Sequence, residues 1–304
     1  MDNLLEVVFN LCGIDLIPVA IPLLIYWIYC SRKVKNDLKG KVVLITGANS
    51  GLGEALAHVF QKAGCKLILA ARRVDQLERV KSDLLKIKAD SETFEPVIFP
   101  LDLSQLEAIP QKALDALAIY EHINILINNA GISHRGNILE TSLEVQMKVM
   151  CVNYFGQIAL TNALLPSLIK CNGHIVAVSS VQGRIAVPFR SAYTASKHAL
   201  QAYMDCLRIE IPEVKVTVIS PGYIRTNLSV NAVTGTGEKY GVVDSAIEKG
   251  YTPEYVAEKI LRAVIMEKKE LIVSPFLPKM AIIFRIITPS LFFYVLKIWA
   301  KKKK

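Results

Sequence analysis

Residues 41–53 read KVVLITGANSGLG, and the rest of the chain is most easily understood outward from them. KVVLIT is a short apolar run rich in β-branched residues, bounded by Gly40 and Gly47, which predicts a strand buried on both faces. TGANSGLG, from Thr46 to Gly53, follows at once and leads into a helical pattern that ends at Gly64. Gly47 permits a tight exit from the strand, Gly51 lets backbone approach a pyrophosphate, and Gly53 allows a helix to pack closely on the sheet. The N-terminus of such a helix offers free N–H groups and a positive dipole end to phosphates. The spacing is GxxxGxG rather than GxGxxG; a strand-to-helix turn with no ligand is the alternative reading, and the context a dinucleotide turn requires is present.

Further apolar runs repeat the strand pattern: KLILAA at 66–71, PVIFPLDL at 96–103, INILINNAG at 123–131, HIVAVSS at 174–180, VKVTVISPG at 214–222 and ELIVS at 270–274. Helical stretches separate them, so the class is α/β with a parallel sheet covered on both faces. Residues 222–250, richer in Gly, Thr and Asn, read as a long loop of the kind that serves as a lid or binding element. Thr252 caps the next helix, with Pro253 at its first position.

The glycine turn predicts a dinucleotide site contacted by Thr46, Gly47, Asn49, Ser50, Gly51, Leu52 and Gly53. The second strand run ends in Ala71-Arg72-Arg73, with no acidic residue at its tip. An acidic group there would bind a ribose 2′-hydroxyl, whereas Arg suits a 2′-phosphate, so NADP(H) is expected over NAD(H). Asp102 and Leu103 fit an adenine edge, and Asp102 fits a plain cap equally well.

Tyr193-Thr194-Ala195-Ser196-Lys197 opens a predicted helix, and its Tyr and Lys, four apart, share one face. A cation near the phenol favours phenolate and makes Tyr193 a usable acid and base. Ser180 ends a strand run, where strand ends face the crevice, so its hydroxyl can bond a substrate carbonyl. Taken alone, a YxxxK pair reads as an exposed helix pair; alongside the glycine turn it reads as a catalytic pair. The five histidines show no metal-ligand spacing, and no metal is expected. Cys151, Met147 and Met150 read as core filler.

TGANSGLG, Asn128-Asn129-Ala130-Gly131, Ser180, YTASK and Pro221-Gly222 together, in this order, resemble the short-chain dehydrogenases/reductases over roughly residues 38–275. The resemblance implies a Rossmann-type, doubly wound sheet of about seven strands. It implies Tyr193 as acid and base, Lys197 as ribose ligand and modifier of the phenol, Ser180 as the group orienting the carbonyl, and Asn153 as holder of a relay water. Tyr193 and Ser180 would also bind substrate. Asn128 would stabilise the sheet beside the cofactor. Asn129, Ala130, Gly131, Pro221, Gly222 and Thr226 would contact the cofactor, Thr226 on its carboxamide side. Pairing of two copies through long helices is a further implication.

The net charge of +9 sits wholly in two flanks. Arg32, Lys33, Lys35, Lys39 and Lys41 face only Asp37 in the first, and Lys297 with Lys301–Lys304 make up the second. Both adjoin apolar stretches, which fits a membrane surface and argues against nucleic acid. Residues 7–29 hold one charge, Asp15, with Tyr26, Trp27 and Tyr29 at the basic end. A spanning helix needs about 20 apolar residues, and aromatic residues favour the interface. Bases follow rather than precede the run, unlike a cleaved signal. The expected division is a transmembrane anchor at 1–30, a basic linker at 31–40, a catalytic domain at 41–275 and an apolar, basic-tailed segment at 276–304. An interfacial hairpin or a buried helix is the alternative for the anchor.

Arg285, Pro289 and Lys297 interrupt the last segment, so it is expected to lie on the bilayer or to pack on the domain. The Lys/Arg bias directs the catalytic domain to the cytosol, and the KKKK tail resembles a dilysine retrieval signal of the endoplasmic reticulum. Six scattered cysteines with no CxxC pair exclude a zinc ribbon and a disulfide miniprotein.

The expected function is hydride transfer between NADP(H) and a carbonyl or alcohol of a lipophilic substrate: a steroid, a retinoid or a lipid-linked ketone. The alternatives are an NADP(H)-binding membrane scaffold with little turnover and, further off, a relative of UDP-sugar epimerases.

Overall fold

The computed structural model describes Ile21 and residues 38–86, 94–242 and 244–301. The expected anchor and residues 31–37 of the linker lie outside the described residues, apart from Ile21. Seven strands form the sheet: β1 (Val42–Thr46), β2 (Lys66–Ala71), β3 (Val97–Pro100), β4 (Ile125–Asn128), β5 (His174–Val178), β6 (Lys215–Pro221) and β7 (Glu270–Val273). Their order is β3-β2-β1-β4-β5-β6-β7, and every pair is parallel. Each apolar run of the sequence therefore supplies one strand.

Because β1 is buried along its whole length, its alternate side chains feed two cores. Val43 and Ile45 face Leu56 and Phe60 of α1 (Gly51–Lys62) and Ile260 of α8 (Pro253–Ile265). Val42 and Leu44 face Ile109 of α3 (Ile109–Tyr120), Leu164 of α5 (Gly156–Lys170) and Leu200 of α6 (Ser191–Glu210). The remaining helices are α2 (Val74–Leu85), α4 (Leu143–Met150), α7 (Ser245–Glu248), α9 (Phe276–Ile287) and α10 (Pro289–Lys301). Thr252 caps α8 as expected, its hydroxyl accepting from the Tyr255 N–H at 3.2 Å.

The chain reverses its direction of winding between β1 and β4, so their ends flank the crevice where α/β sheets bind ligands. Thr46 staples the two strands there. Its hydroxyl donates to the Ile127 carbonyl and accepts from the Asn129 and Ala130 N–H groups at 3.0 and 3.1 Å. Asn128 is fully buried behind this point, its Nδ2 donating to Thr161 Oγ1 at 2.8 Å.

Residues 222–250 are less free than a simple loop. They contain α7 and pair with the segment after β4: Val233 N–H donates to the Ser133 carbonyl, Arg135 N–H to Val233, and Ser142 N–H to Gly235. Met147 is exposed and Cys151 half-buried, so neither fills the core: the outer side of α4 faces solvent.

The C-terminal segment packs on the domain along one side. Phe292, with Ile282, Phe284 and Leu296, packs onto Val181 and Ile185. The opposite side leaves Leu277, Ile286, Ile287 and Tyr294 exposed. Among the described residues, no helix is long and apolar enough to cross a membrane.

Candidate active site

At the end of β1 the glycine turn forms a backbone cradle. Gly47 and Gly51 hold φ of +69° and +57°, a region that L side chains rarely adopt. A Cβ on Gly53 would lie 2.1 Å from the Gly47 carbonyl oxygen and 2.7 Å from Asn129 Nδ2. Ser50 occupies the N-cap of α1 without a side-chain cap bond, which leaves first-turn N–H groups for an anion. Glu54, the acid of that turn, is bound to Arg79 at 2.8 Å. Thr226 closes over the turn, so that a Cβ on Gly51 would meet its methyl group at 3.0 Å. The carboxamide contact implied for Thr226 thus begins from a residue seated against the phosphate turn.

Arg72 and Arg73 stand at the tip of β2. With its amide turned so that the oxygen faces Arg73, the Asn49 side chain accepts from Arg73 Nη2 and Nε at 2.7 and 3.0 Å, which fixes one guanidinium beside the glycine turn. Asp102 fulfils one of its two expectations, the cap. It caps its own turn, accepting from the Ser104 N–H and hydroxyl at 2.9 and 2.8 Å, and it also lines the cleft.

A cleft of about 650 Å³ runs from these arginines past the turn to Ser180, Tyr193 and Lys197. Asn129, Ala130, Gly131, Pro221 and Gly222 line it as well. The expected cofactor residues and the Ser-Tyr-Lys triplet therefore share one cavity. These features fit a phosphate-bearing dinucleotide: bare backbone where phosphates need approach, an uncapped helix end, and guanidinium groups at the outer limit.

Tyr193 and Lys197 are both buried on α6. Lys197 Nζ donates to the Val178 carbonyl at 2.8 Å and lies 5.8 Å from the centre of the Tyr193 ring. Burial lowers Lys197 to about 8. Burial also raises the Tyr193 phenol above its ordinary value, while the Ser180 hydroxyl and the charges of Arg190 and Arg135 pull it down. The expected cationic help thus comes in this structure from two arginines that the sequence did not single out.

Asn153 does not line the cleft. It sits in a π-helical turn, Cys151–Phe155, a distortion frequent at functional sites. Its Nδ2 donates to the Ile132 carbonyl at 2.9 Å and to Ser196 Oγ at 3.0 Å, and its Oδ1 accepts from the Ile132 N–H at 2.8 Å. Both amide hydrogens are thereby committed, so the side chain has only acceptor capacity left for a water. It holds the backbone next to Gly131, where a Cβ would lie 3.1 Å from Asn153 Oδ1 and 3.6 Å from Lys197 Nζ.

Parallel order, glycine turn and a buried Tyr–Lys pair at one crevice define a nicotinamide-dependent oxidoreductase class. A family model described as short chain dehydrogenase matches residues 41–236, and the chain belongs to that family. It is similar to a Drosophila melanogaster protein named Dehydrogenase/reductase SDR family protein 7-like, 50% identical over 297 residues, covering 96% of this chain and 91% of that one. Dehydrogenase/reductase SDR family member 7B of Xenopus tropicalis is 49% identical over 271 residues, covering 88% of each. Among solved structures, an alcohol dehydrogenase of Thermococcus sibiricus complexed with 5-hydroxy-NADP superposes with a TM-score of 0.66 at 27% identity, covering 77% of this chain and 96% of that one. The chain is accordingly an oxidoreductase of the short-chain family with an NAD(P)-binding fold.

Proposed function

We propose that this protein is a membrane-anchored oxidoreductase that moves a hydride between NADP(H) and a carbonyl or alcohol carbon of a lipophilic substrate. The observation that carries this reading is the single cleft shared by Arg72, Arg73, the glycine turn, Ser180, Tyr193 and Lys197. NADPH, when bound, supplies the hydride. The glycine turn and the N-terminus of α1 hold its phosphates, and Arg72 with Arg73 holds the 2′-phosphate. Lys197 binds the ribose while anchored to Val178. In the reductive direction Ser180 hydrogen-bonds the carbonyl oxygen and Tyr193 donates its phenolic proton there. The raised phenol stays protonated at neutral pH, which suits that donation. Asn153 positions the Gly131–Ile132 backbone and accepts from the water that returns the proton.

The cofactor assignment has a direct test. Arg72→Ala with Arg73→Ala removes the fork that matches a phosphate. Charge-assisted hydrogen bonds contribute about 1.5–3 kcal/mol, so NADPH affinity falls about 10- to 100-fold while NADH affinity holds. Equal losses for both cofactors, read by equilibrium dialysis, would refute the 2′-phosphate role.

Residues 1–30 anchor the chain in the endoplasmic reticulum membrane as a single span, with the catalytic domain in the cytosol. The apolar side of α9 and α10, carrying Leu277, Ile286 and Ile287, rests on the lipid surface. An apolar cleft of about 380 Å³ between α10 and residues 186–189 supports a lipophilic substrate. Protease treatment of intact microsomes should digest the catalytic domain; full protection would reverse the orientation.

A further inference from the structure

The apolar cleft of about 380 Å³ is a compartment of its own. Ile138, residues 186–189, Ser191 and Thr194 line it, together with Phe293, Leu296 and Lys297 of α10. None of these residues lines the catalytic cleft. The start of α6 serves both compartments: Tyr193 lines one and Thr194 the other. Neighbouring residues of a helix point about 100° apart, so a molecule in the second cleft does not face the Tyr193 hydroxyl.

Three polar groups stand in this otherwise apolar lining. Thr194 is only 8% exposed, and its Oγ1 has no hydrogen-bond partner; the buried Ser191 Oγ has none either. Lys297 is exposed, and no described acid pairs with it. The buried arginines of the catalytic cleft differ in this respect, for they share Asp244, at 2.6 Å from Arg190 and 3.9 Å from Arg135. Phe189 holds φ of +62°, and the Gly136 N–H donates to its carbonyl at 3.1 Å. Strain of this kind persists where the surroundings enforce it, and it clusters at ligand clamps. Ile138 and Phe293, from separate elements, are exposed, so the cleft is open to the surface. Phe293 adjoins Tyr294 on the exposed apolar side of the C-terminal segment. An apolar groove with one cation and two free hydroxyl donors fits a single hydrocarbon chain that ends in a carboxylate.

We propose that this cleft binds a long-chain fatty acid. Its carboxylate accepts from Lys297 Nζ and from the Ser191 and Thr194 hydroxyls, and its chain lies along Ile138, Phe293 and Leu296. The fatty acid is a ligand beside the active site, not the reacting molecule. Its entry from a bilayer rests on the membrane-anchored reading; the site itself does not.

The test uses the full chain in phosphatidylcholine nanodiscs and a palmitate that carries a diazirine in its chain, with the labelled peptides mapped by mass spectrometry. Labelling should fall within residues 186–194 and 293–300 and should saturate. Unlabelled palmitate should compete about tenfold or more better than methyl palmitate, the margin of a charge-assisted hydrogen bond. Lys297→Gln should remove that margin, and Leu296→Trp, which fills the cleft, should abolish labelling; both variants should bind NADP⁺ like the wild type. Labelling that fails to saturate, or that is confined to Leu277, Ile286 and Ile287, would show lipid contact only and overturn the site. So would equal competition by methyl palmitate, or stronger competition by phosphatidic acid, which would assign the cleft to a phospholipid. Should Leu296→Trp lose NADP⁺ binding through misfolding, Lys297→Gln, at an exposed position, still decides. A chain that fails to enter nanodiscs would strike the membrane reading, and the same labelling of that chain in solution would still decide the site.

Discussion

Gly53→Ala should abolish measurable NADPH binding and destabilise the fold by about 1–3 kcal/mol, the usual cost of forcing atoms into a packed site. The added methyl group meets backbone rather than a movable side chain: the Gly47 carbonyl oxygen at 2.1 Å and its carbon at 2.7 Å. Relief requires the turn to open or α1 to withdraw from β1. Either movement displaces the N–H groups that would face phosphate, and it disturbs Asn129, which donates to the Thr46 carbonyl at 2.9 Å. Gly40→Ala is the matched control. Gly40 also has a positive φ, +74°, but nothing lies within 4 Å of its added Cβ. That variant should lose about 1–2 kcal/mol through backbone strain and keep its NADPH affinity. Calorimetric titration and chemical denaturation of the two variants separate strain from loss of the cradle. Retention of full NADPH affinity in Gly53→Ala would show that the dinucleotide does not use this turn.

Much of this site is legible in the sequence because it is local. KVVLIT and TGANSGLG are contiguous, and their strand, turn and helix follow from apolar patterning and glycine placement alone. Tyr193 and Lys197 are four residues apart on one helix, so spacing alone puts them on one face. Ser180 joins them because parallel strands all end at the same edge of the sheet.

What stayed hidden depends on long-range assembly. Arg135, Arg190 and Asp244 come from the segment after β4, the entry to α6 and the long loop, and no spacing connects them. The charge of the chain between its basic flanks sums to only +3, which conceals a local cluster. The motif points to Asn153, but its place behind Gly131 depends on a π-helical turn that periodicity does not reveal. Met147 faces solvent against expectation because an apolar residue on a short helix at the rim can do so as readily as it can fill the core. The last segment carries apolar residues around most of its circumference, so composition could not say which side packs on Val181 and Ile185.

Tyr193→Phe is the second large effect. The substitution keeps the buried ring and removes only the hydroxyl, so packing around this residue, 7% exposed, is preserved. Positioned acid–base groups contribute about 10²–10⁴-fold to rate, and the variant should lose that factor. Lys197 keeps its bond to Val178, and the glycine turn is untouched, so NADPH affinity should not change. The decisive measurement is single-turnover transfer of tritium from C4 of NADPH to the best ketone of a lipophilic panel, wild type beside Tyr193→Phe, at saturating NADPH. A rate lower by about 10²–10⁴-fold in the variant, with undiminished NADPH binding, is the expected result. Transfer at the wild-type rate would contradict the assignment of Tyr193 as the proton donor.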